Sequence, residues 1–350
     1  MNGETENTET GGETQQAGCL ASAVAWLTWL YVAGLVAVWM ALRFGGDDWW
    51  LATLMLFGPR WVYVLPMLVL IPAVLCVRRR LIFPLVIGLV ILLWPIMGMC
   101  LPWRSWSKSD GKPLRVMTFN VQLDAVGQRK LLALLERVEP DIVAVQECGR
   151  REISWPRGWD STRVGRLEIG SRYPLRDRRV SRRRDPSSRN PTVNALAAVV
   201  ETPRGDATLV NVHLRTPRRG IEPMLEGGGP AAPSRAAVLS EEISFRRREA
   251  EQIRAWLDDL PGGVIVVGDF NMPVDSTIYR RSFSDFQNAF GSTGLGFGHT
   301  KQSSAFGCAF GARIDHILTG PGWAVGGCRV GEDIGSDHLP LIADLYREDR

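Results

Sequence analysis

The spacing of apolar positions divides the chain before any motif is considered. Residues 1–18 are polar and acidic, 19–103 are overwhelmingly apolar, 104–113 form a polar linker, and 114–350 carry the mixed pattern of a soluble domain. Residues 19–42 contain no charged side chain and are long enough to cross a bilayer, which takes about 20 apolar residues. Residues 61–77 and 81–101 are the second and third expected spans, and the short apolar run 49–57, cut off by Gly58, Pro59 and Arg60, fits the membrane interface. Pro66, Pro72, Pro84 and Pro95 are compatible with spans because membrane helices tolerate proline. Trp49, Trp50, Trp61, Trp103 and Trp106 fall near the expected span ends, as an aromatic belt would place them. A cleaved signal peptide does not fit: no basic stretch precedes the first span and two more follow it. The expectation is a multi-pass membrane protein. Arg78, Arg79 and Arg80 between spans two and three favour a cytoplasmic turn and an extracytoplasmic C-terminal domain; Arg43, Arg60, Arg104 and Lys108 pull the other way.

Beyond the linker the period changes. "LRVMTFNV" (114–121) reads as a strand, "GQRKLLALLERVEP" (127–140) as an amphipathic helix and "DIVAVQE" (141–147) as a second strand. "NALAAVVET" and "ATLVNVHL" are strands joined by a turn at 203–206. "RRREAEQIRAWLDDL" (246–260) is helical, stops at Pro261-Gly-Gly and feeds the strand "VIVVGDF". "RIDHILTG" and "LIADLY" complete the series. Strands dominate, helices intervene and no repeat is visible, so the pattern predicts an α/β sandwich; about 240 residues are ample for a full core.

Composition adds little. A formal charge of +4 identifies no partner, and the six cysteines, three of them in the spans and three scattered without CxxC spacing, give no zinc site and read as buried free thiols. The arginine-rich stretch 171–190, with Arg215, Arg218, Arg219, Arg246, Arg247 and Arg248, reads either as a solvated basic face or as a contact for nucleic-acid backbone or anionic lipid headgroups. The Gly/Pro-rich stretch 220–235 has the composition of a mobile rim.

The strand ends carry the chemistry. Asn120 lies near the end of the first strand, Glu147 closes the second, and His213 lies near the end of "TLVNVHL". Asp269 and Asn271 end "VIVVGDFN", Asp315 and His316 lie in "RIDHIL", and Asp337 and His338 precede the last strand. Of four histidines in the chain, three occupy these positions, and His299 sits in "GLGFGHT". On an extended chain Asp269 and Asn271 face one way and Phe270 the other, and His316 faces away from Asp315 as a packing residue. An acid, an amide or a histidine at each of several strand ends supplies what phosphoryl transfer requires: an oriented nucleophile, cation ligands and hydrogen-bond donors for non-bridging oxygens.

In the order "TFNV", "VQE", "GSRYPL", "NVHL", "GDFN", "RIDHI" and "GSDHLP", the sequence resembles the endonuclease/exonuclease/phosphatase superfamily of DNase I-like, metal-dependent phosphoesterases, from about Leu114 to Tyr346. The resemblance implies a four-layered α/β sandwich, two packed mixed sheets flanked by helices, preceded here by transmembrane helices. It implies Mg²⁺, with Mn²⁺ as a substitute, held by Glu147, Asn120 and Asp337. Asp269 would orient or deprotonate the attacking water, Asn271 would donate to the phosphoryl oxygen, and His338, held by Asp315, would act with His213 on the phosphate. Gln122 stands where nucleases of the family often carry Asp, and Asn288 where many relatives carry Asp. The expected function is a membrane-anchored phosphoesterase whose substrate is a nucleic acid, a phospholipid or a soluble phosphate ester. The alternative is a catalytically silent membrane protein that only binds a phosphorylated ligand, against which Glu147, Asp269, Asn271 and His338 are all retained.

Overall fold

A computed structural model describes residues 6–102, 111–123, 125–184, 190–225, 233–305 and 307–348. Its contacts separate into two units, Met1–Phe44 with Gly58–Gly98, and Gly45–Phe57 with Met99–Arg350. The N-terminal third contains helices α1 (Glu6–Met40), α2 (Trp50–Phe57), α3 (Leu65–Val77) and α4 (Ile82–Ile91).

In the first unit, α1, α3 and α4 meet through Val24, Leu70, Val74 and Leu85, with Leu81 just ahead of α4. Their outward faces remain apolar: Trp26, Leu30, Leu68, Val69 and Phe83 are each more than half exposed, more than a water-soluble surface ordinarily shows. Three helical stretches, Gly18–Asp48, Arg60–Val77 and Arg79–Ile96, are long and apolar enough to cross a membrane. The third stops short of the expected 101, and Cys100 belongs to the second unit, where its backbone pairs with Gly296 (N···O 2.8 and 3.0 Å). Trp103, Trp106 and most of the linker lie outside the described residues. The run 49–57, expected at the membrane interface, is largely α2 of the second unit, where Ala52, Thr53 and Leu56 are buried.

The second unit is built on strands β1 (Leu114–Leu123), β2 (Ile142–Cys148), β3 (Asp160–Val164), β4 (Leu167–Ser171), β5 (Leu175–Arg183), β6 (Thr192–Thr202), β7 (Gly205–His213), β8 (Val264–Asp269), β9 (Gln287–Asn288), β10 (Lys301–Ala305), β11 (Cys308–Ala312), β12 (Asp315–Thr319), β13 (Trp323–Val330) and β14 (Leu341–Arg347). They form two six-stranded sheets, β13-β14-β1-β2-β4-β3 and β5-β6-β7-β8-β12-β9, plus the hairpin β10-β11. Each sheet is antiparallel apart from one parallel pair, β1/β2 in the first and β7/β8 in the second. Both faces of the central strands are buried, which is why they read as continuous apolar runs. Val116, Ala144, Leu209, Ile265, Ile317 and Leu341 meet between the sheets.

Helices cover the outer faces and complete four layers. α5 (Gln128–Val138) buries Leu131, Leu134, Leu135 and Val138 against Met117, Phe119, Val143 and Val145. It ends with Glu139 in the left-handed region (φ 49°), ahead of Pro140, which cannot continue it. On the other sheet, after α6 (Arg218–Leu225), α7 (Pro233–Asp258) packs Leu239, Ile243, Ile253 and Leu257 onto Val210 and Val266. α7 begins well before the expected 246: Leu239 and Ile243 extend its buried face towards the N-terminus, with the buried Glu242 interrupting the apolar stripe there. α8 (Thr277–Phe283), started by Ser276 Oγ accepting from Tyr279 N, and α9 (Ala289–Thr293) close the domain. The arginine-rich stretch supplies the edge strand β5, with 185–189 outside the described residues; 226–232 of the expected rim also lie outside them.

Strand alternation places the polar residues. Thr118 and Asn120 share the inter-sheet face of β1 with Val116; Asp269 shares that of β8 with Ile265 and Val267, and Asp315 that of β12 with Ile317. His316 therefore faces the outer core, as its position beside Asp315 predicts. Its ring is fully buried beside Phe270 (5.3 Å) and Tyr279 (4.9 Å). Nε2–H donates to the Met272 carbonyl (2.9 Å) and Nδ1 accepts from Asn288 Nδ2 (3.2 Å), which gives Asn288 its role.

Burial lowers the His316 pKa to about 4, so the folded chain holds a neutral ring. Above about pH 6.5 the ring is neutral in both folded and unfolded states; below it the unfolded chain takes up a proton that the folded chain refuses, and stability falls until about pH 4. Urea unfolding of the detergent-solubilised chain, followed by tryptophan fluorescence, is therefore expected to lose about 2 kcal/mol more between about pH 7 and pH 5 in the wild type than in His316→Gln. An equal loss in both proteins would contradict the neutral buried ring.

Candidate active site

The two parallel strand pairs end on the same side of the sandwich, where ligand sites of α/β sheets are ordinarily built. β8 is flanked by β7 and β12, and the register sets His213 and Asp315 directly against Asp269 from either side. Across the gap between the sheets, Asn120 Nδ2 donates to Asp269 Oδ2 (3.0 Å) and to Glu147 Oε1 (3.1 Å). Simple alternation would send Glu147 to the α5 face with Val143 and Val145; a positive φ of 53° breaks the alternation and brings its carboxylate to Asn120. His213 Nε2 lies 3.7 Å from both Glu147 Oε1 and Asp269 Oδ2.

The remaining members arrive on loops. Asn271, also at positive φ (51°), donates its N–H to Asp269 Oδ1 (2.8 Å), and its side-chain amide donates one N–H to the Leu214 carbonyl (2.9 Å). Its second amide N–H is not used by that bond. In the loop before β14, Ser336 Oγ donates to the Asn120 carbonyl (2.7 Å) and accepts from His338 N (3.1 Å). This holds His338 with Nδ1 2.8 Å from Asp315 Oδ2 and Nε2 3.6 Å from Asp269 Oδ2. Asp337 Oδ1 lies 3.9 Å from His338 Nε2, its N–H donates to Gln122 Oε1 (3.2 Å), and its Oδ2 pairs with Lys301 Nζ.

Electrostatics divides the cluster in two. Asp269 is buried, which raises its pKa, while His338, His213 and the Asn120 hydrogen bond oppose the rise. For His338 burial lowers the pKa, but the Asp315 and Asp269 carboxylates, with the hydrogen bond to Asp315, outweigh it and hold the ring at about 9. The imidazole is thus cationic near neutral pH. Asp315 Oδ1 is buried without a hydrogen-bond partner among the described residues, while Oδ2 meets the His338 ring.

Asp269, Asp315 and His338 present ligand atoms within 4.8 Å of one another. In that trio the His338 ring is cationic near neutral pH and has no lone pair to offer, and a hard divalent cation prefers oxygen donors and keeps several waters. The open side of the cluster fits such an ion better: the Glu147 and Asp337 side chains are 27% and 31% exposed, Asn120 contributes an amide oxygen, and no thiolate faces them. The Asn120 oxygen accepts one bond, from Gln122 N (3.0 Å), and retains a second lone pair.

All eight residues picked from the strand ends, Asn120, Glu147, His213, Asp269, Asn271, Asp315, Asp337 and His338, join in one network of contacts. Lys301, and the bond that Gln122 makes to the Asp337 backbone, have no counterpart in the strand-end pattern. Lys301 sits on the β10–β11 hairpin, whose alternation is too short to announce a strand, and the only sequence signal is a lysine in a chain that otherwise favours arginine. Cys148, beside Glu147, is buried with its thiol pushed up to about 12, an inert group. His299 stacks on Phe297 instead (5.6 Å).

Comparison with known proteins gives the same reading at the level of family. The model of the Endonuclease/Exonuclease/phosphatase family matches residues 117–338. A search of curated proteins returns no match. Among solved structures, an endonuclease/exonuclease/phosphatase from Bacteroides vulgatus is 20% identical with a TM-score of 0.51, covering 68% of this chain and 100% of that one. A 3' phosphatase, NExo, from Neisseria bound to product DNA hairpin is 21% identical (TM-score 0.48; 67% and 99% covered), and D. rerio TDP2 with single-strand DNA product is 15% identical (TM-score 0.49; 67% and 100% covered). With its motifs in order, its strand ends converging on one network and the family model spanning most of its length, the chain belongs to the endonuclease/exonuclease/phosphatase family and is an ester-bond hydrolase.

Proposed function

We propose that the protein is a membrane-anchored, Mg²⁺-dependent phosphoesterase that cleaves a phosphate ester by attack of water. The observation that carries this reading is the Asp269 carboxylate, bonded to Asn120 and Asn271 and within 3.7 Å of His213 and His338. Glu147, Asp337 and Asn120 would hold the cation, whose bound charge offsets negative charge on the phosphate. Asp269, with its raised pKa, is suited to orient a water and accept its proton. Cationic His338, held by Asp315, presents Nε2–H on the same side of Asp269 and is suited to donate to a non-bridging or leaving oxygen. The unused Asn271 amide N–H and the His213 ring provide further donors as charge builds. Three apolar helices by composition support a multi-pass anchor; an extracytoplasmic catalytic domain follows from the Arg78–Arg79–Arg80 turn alone, and protease protection of the full-length chain in sealed vesicles tests it.

Asp269→Asn and His338→Ala are each expected to lower kcat by about 10²–10⁴, measured on the full-length chain in detergent with Mg²⁺. Wild-type turnover by either variant would sink the roles given to these residues. Chelation with EDTA is expected to abolish turnover and added Mg²⁺ or Mn²⁺ to restore it, with Glu147→Gln needing at least about tenfold more metal for half-maximal rate; undiminished turnover in EDTA would exclude a metal-dependent reaction. Parallel assays on plasmid DNA, RNA, sphingomyelin and phosphoinositides choose among nucleic-acid and lipid substrates. Turnover of none, by a chain that binds one of them, favours the silent binder.

A further inference from the structure

We propose that the segment between the first two apolar helices is a working part of the catalytic unit: Asp47 is a positioning residue that, through Arg246, fixes the backbone of Asn271 beside the reacting groups. The inference rests on the reading of Asn271 as part of a phosphoesterase site.

The observations lie far apart in sequence and together in space. Asp47 and Arg246 form an ion pair in which neither side chain is exposed (Oδ1···Nη1 2.9 Å). The same guanidinium donates from Nη2 to the Asn271 carbonyl (2.9 Å) and from Nε to the Arg215 carbonyl (3.2 Å), two residues beyond His213, and lies over the Phe57 ring (5.2 Å). Asp47 is itself fully held: Oδ2 accepts from Ser276 Oγ and from Ile278 N (3.5 Å), and its N–H donates to Thr277 Oγ1 (3.3 Å). Gly46, at φ +40°, passes so close that a Cβ would lie 2.6 Å from Thr277 Cγ2, so only glycine fits the approach. Trp50 and Leu54 of α2 then pack on the cluster containing Phe270, Ile278 and Phe283.

The physical consequence follows from burial. A guanidinium in the interior with no counter-charge carries a large desolvation penalty and moves towards water when its partner is removed. Asn271 has a positive φ (51°), which asparagine tolerates better than most side chains but at some cost, so its place beside Asp269 depends on the contacts that hold it. Three contacts do so: its N–H to Asp269, its side chain to Leu214 and its carbonyl to Arg246. Loss of Asp47 therefore releases one of the three and loosens the Arg215 carbonyl near His213. It also means that Met99–Arg350 is incomplete without Gly45–Phe57.

The test uses the full-length chain in detergent, with Asp47→Ala, Asp47→Asn and Arg246→Lys, and with Asp48→Ala as control. Asp48 lies in the same loop but pairs with Arg247 and Arg281 instead. The readouts are kcat and KM for bis(4-nitrophenyl) phosphate with Mg²⁺, thermal melting, and hydrogen exchange of the backbone amide of Asn271. At a temperature where melting shows each variant folded, Asp47→Ala is expected to lose about 100-fold in kcat, the scale of a small misplacement of a reacting group, with KM within about threefold. Amide exchange at Asn271 should rise at least about tenfold, reporting more frequent local opening. Asp47→Asn, which keeps an acceptor for Ser276, should fall between, Arg246→Lys should behave as Asp47→Ala does, and Asp48→Ala should leave kcat unchanged. A folded Asp47→Ala chain with kcat within about twofold of wild type shows a merely structural pair and overturns the proposal; so does a kcat loss without faster exchange at Asn271. Where Asp47→Ala does not fold, Asp47→Asn and Arg246→Lys decide by the same readouts. A wild type that hydrolyses no phosphate ester refutes the functional reading instead, and the exchange measurement still decides whether Asp47 holds Asn271.

Discussion

The buried carboxylate of Asp269 is the constraint around which the catalytic unit is arranged. Taking a carboxylate out of water costs several kcal/mol, and the compensation comes from both sheets at once: Asn120 from β1, the Asn271 N–H from the loop after β8, and the His213 and His338 rings at 3.7 and 3.6 Å. The sandwich must therefore close in register for that group to be tolerated. The neighbours that offset the burial of Asp269 are those the proposed chemistry uses.

The site was legible in the sequence because strand geometry is strict. A period of two puts Asn120, Asp269 and Asp315 on the inter-sheet face once Val116, Ile265 and Ile317 are recognised as core, and it sends His316 to the opposite face. Glu147 was identified by its motif although alternation points it the wrong way; its positive φ cannot be read from residue type. Partners chosen by tertiary placement stayed hidden. Lys301 meets Asp337 across a short hairpin, and Gln122, a departure from the family pattern, supports the Asp337 backbone.

The parts of the fold that pattern missed have physical reasons. α7 buries Glu242, Arg246 and Glu249 among charged or polar partners, and in its first half Glu242 interrupts the short apolar stripe of Leu239 and Ile243 that would mark a core helix. β5 is an edge strand whose Arg176, Arg178, Arg179 and Arg182 are exposed, and it reads as a basic loop for that reason. The segment Gly45–Phe57 is apolar enough to be grouped with the spans, yet its short polar turn of Asp47 and Asp48 binds arginines some 200 positions away. Separation of that order leaves no local trace.

The central claim is that this geometry directs water at phosphorus. It is tested most directly by turnover of bis(4-nitrophenyl) phosphate in ¹⁸O-labelled water by the full-length chain with Mg²⁺, with mass spectrometry of both products. Attack at phosphorus predicts a single ¹⁸O in the phosphate monoester and none in the nitrophenol. Label in the nitrophenol, or none in the phosphate product, would contradict the account.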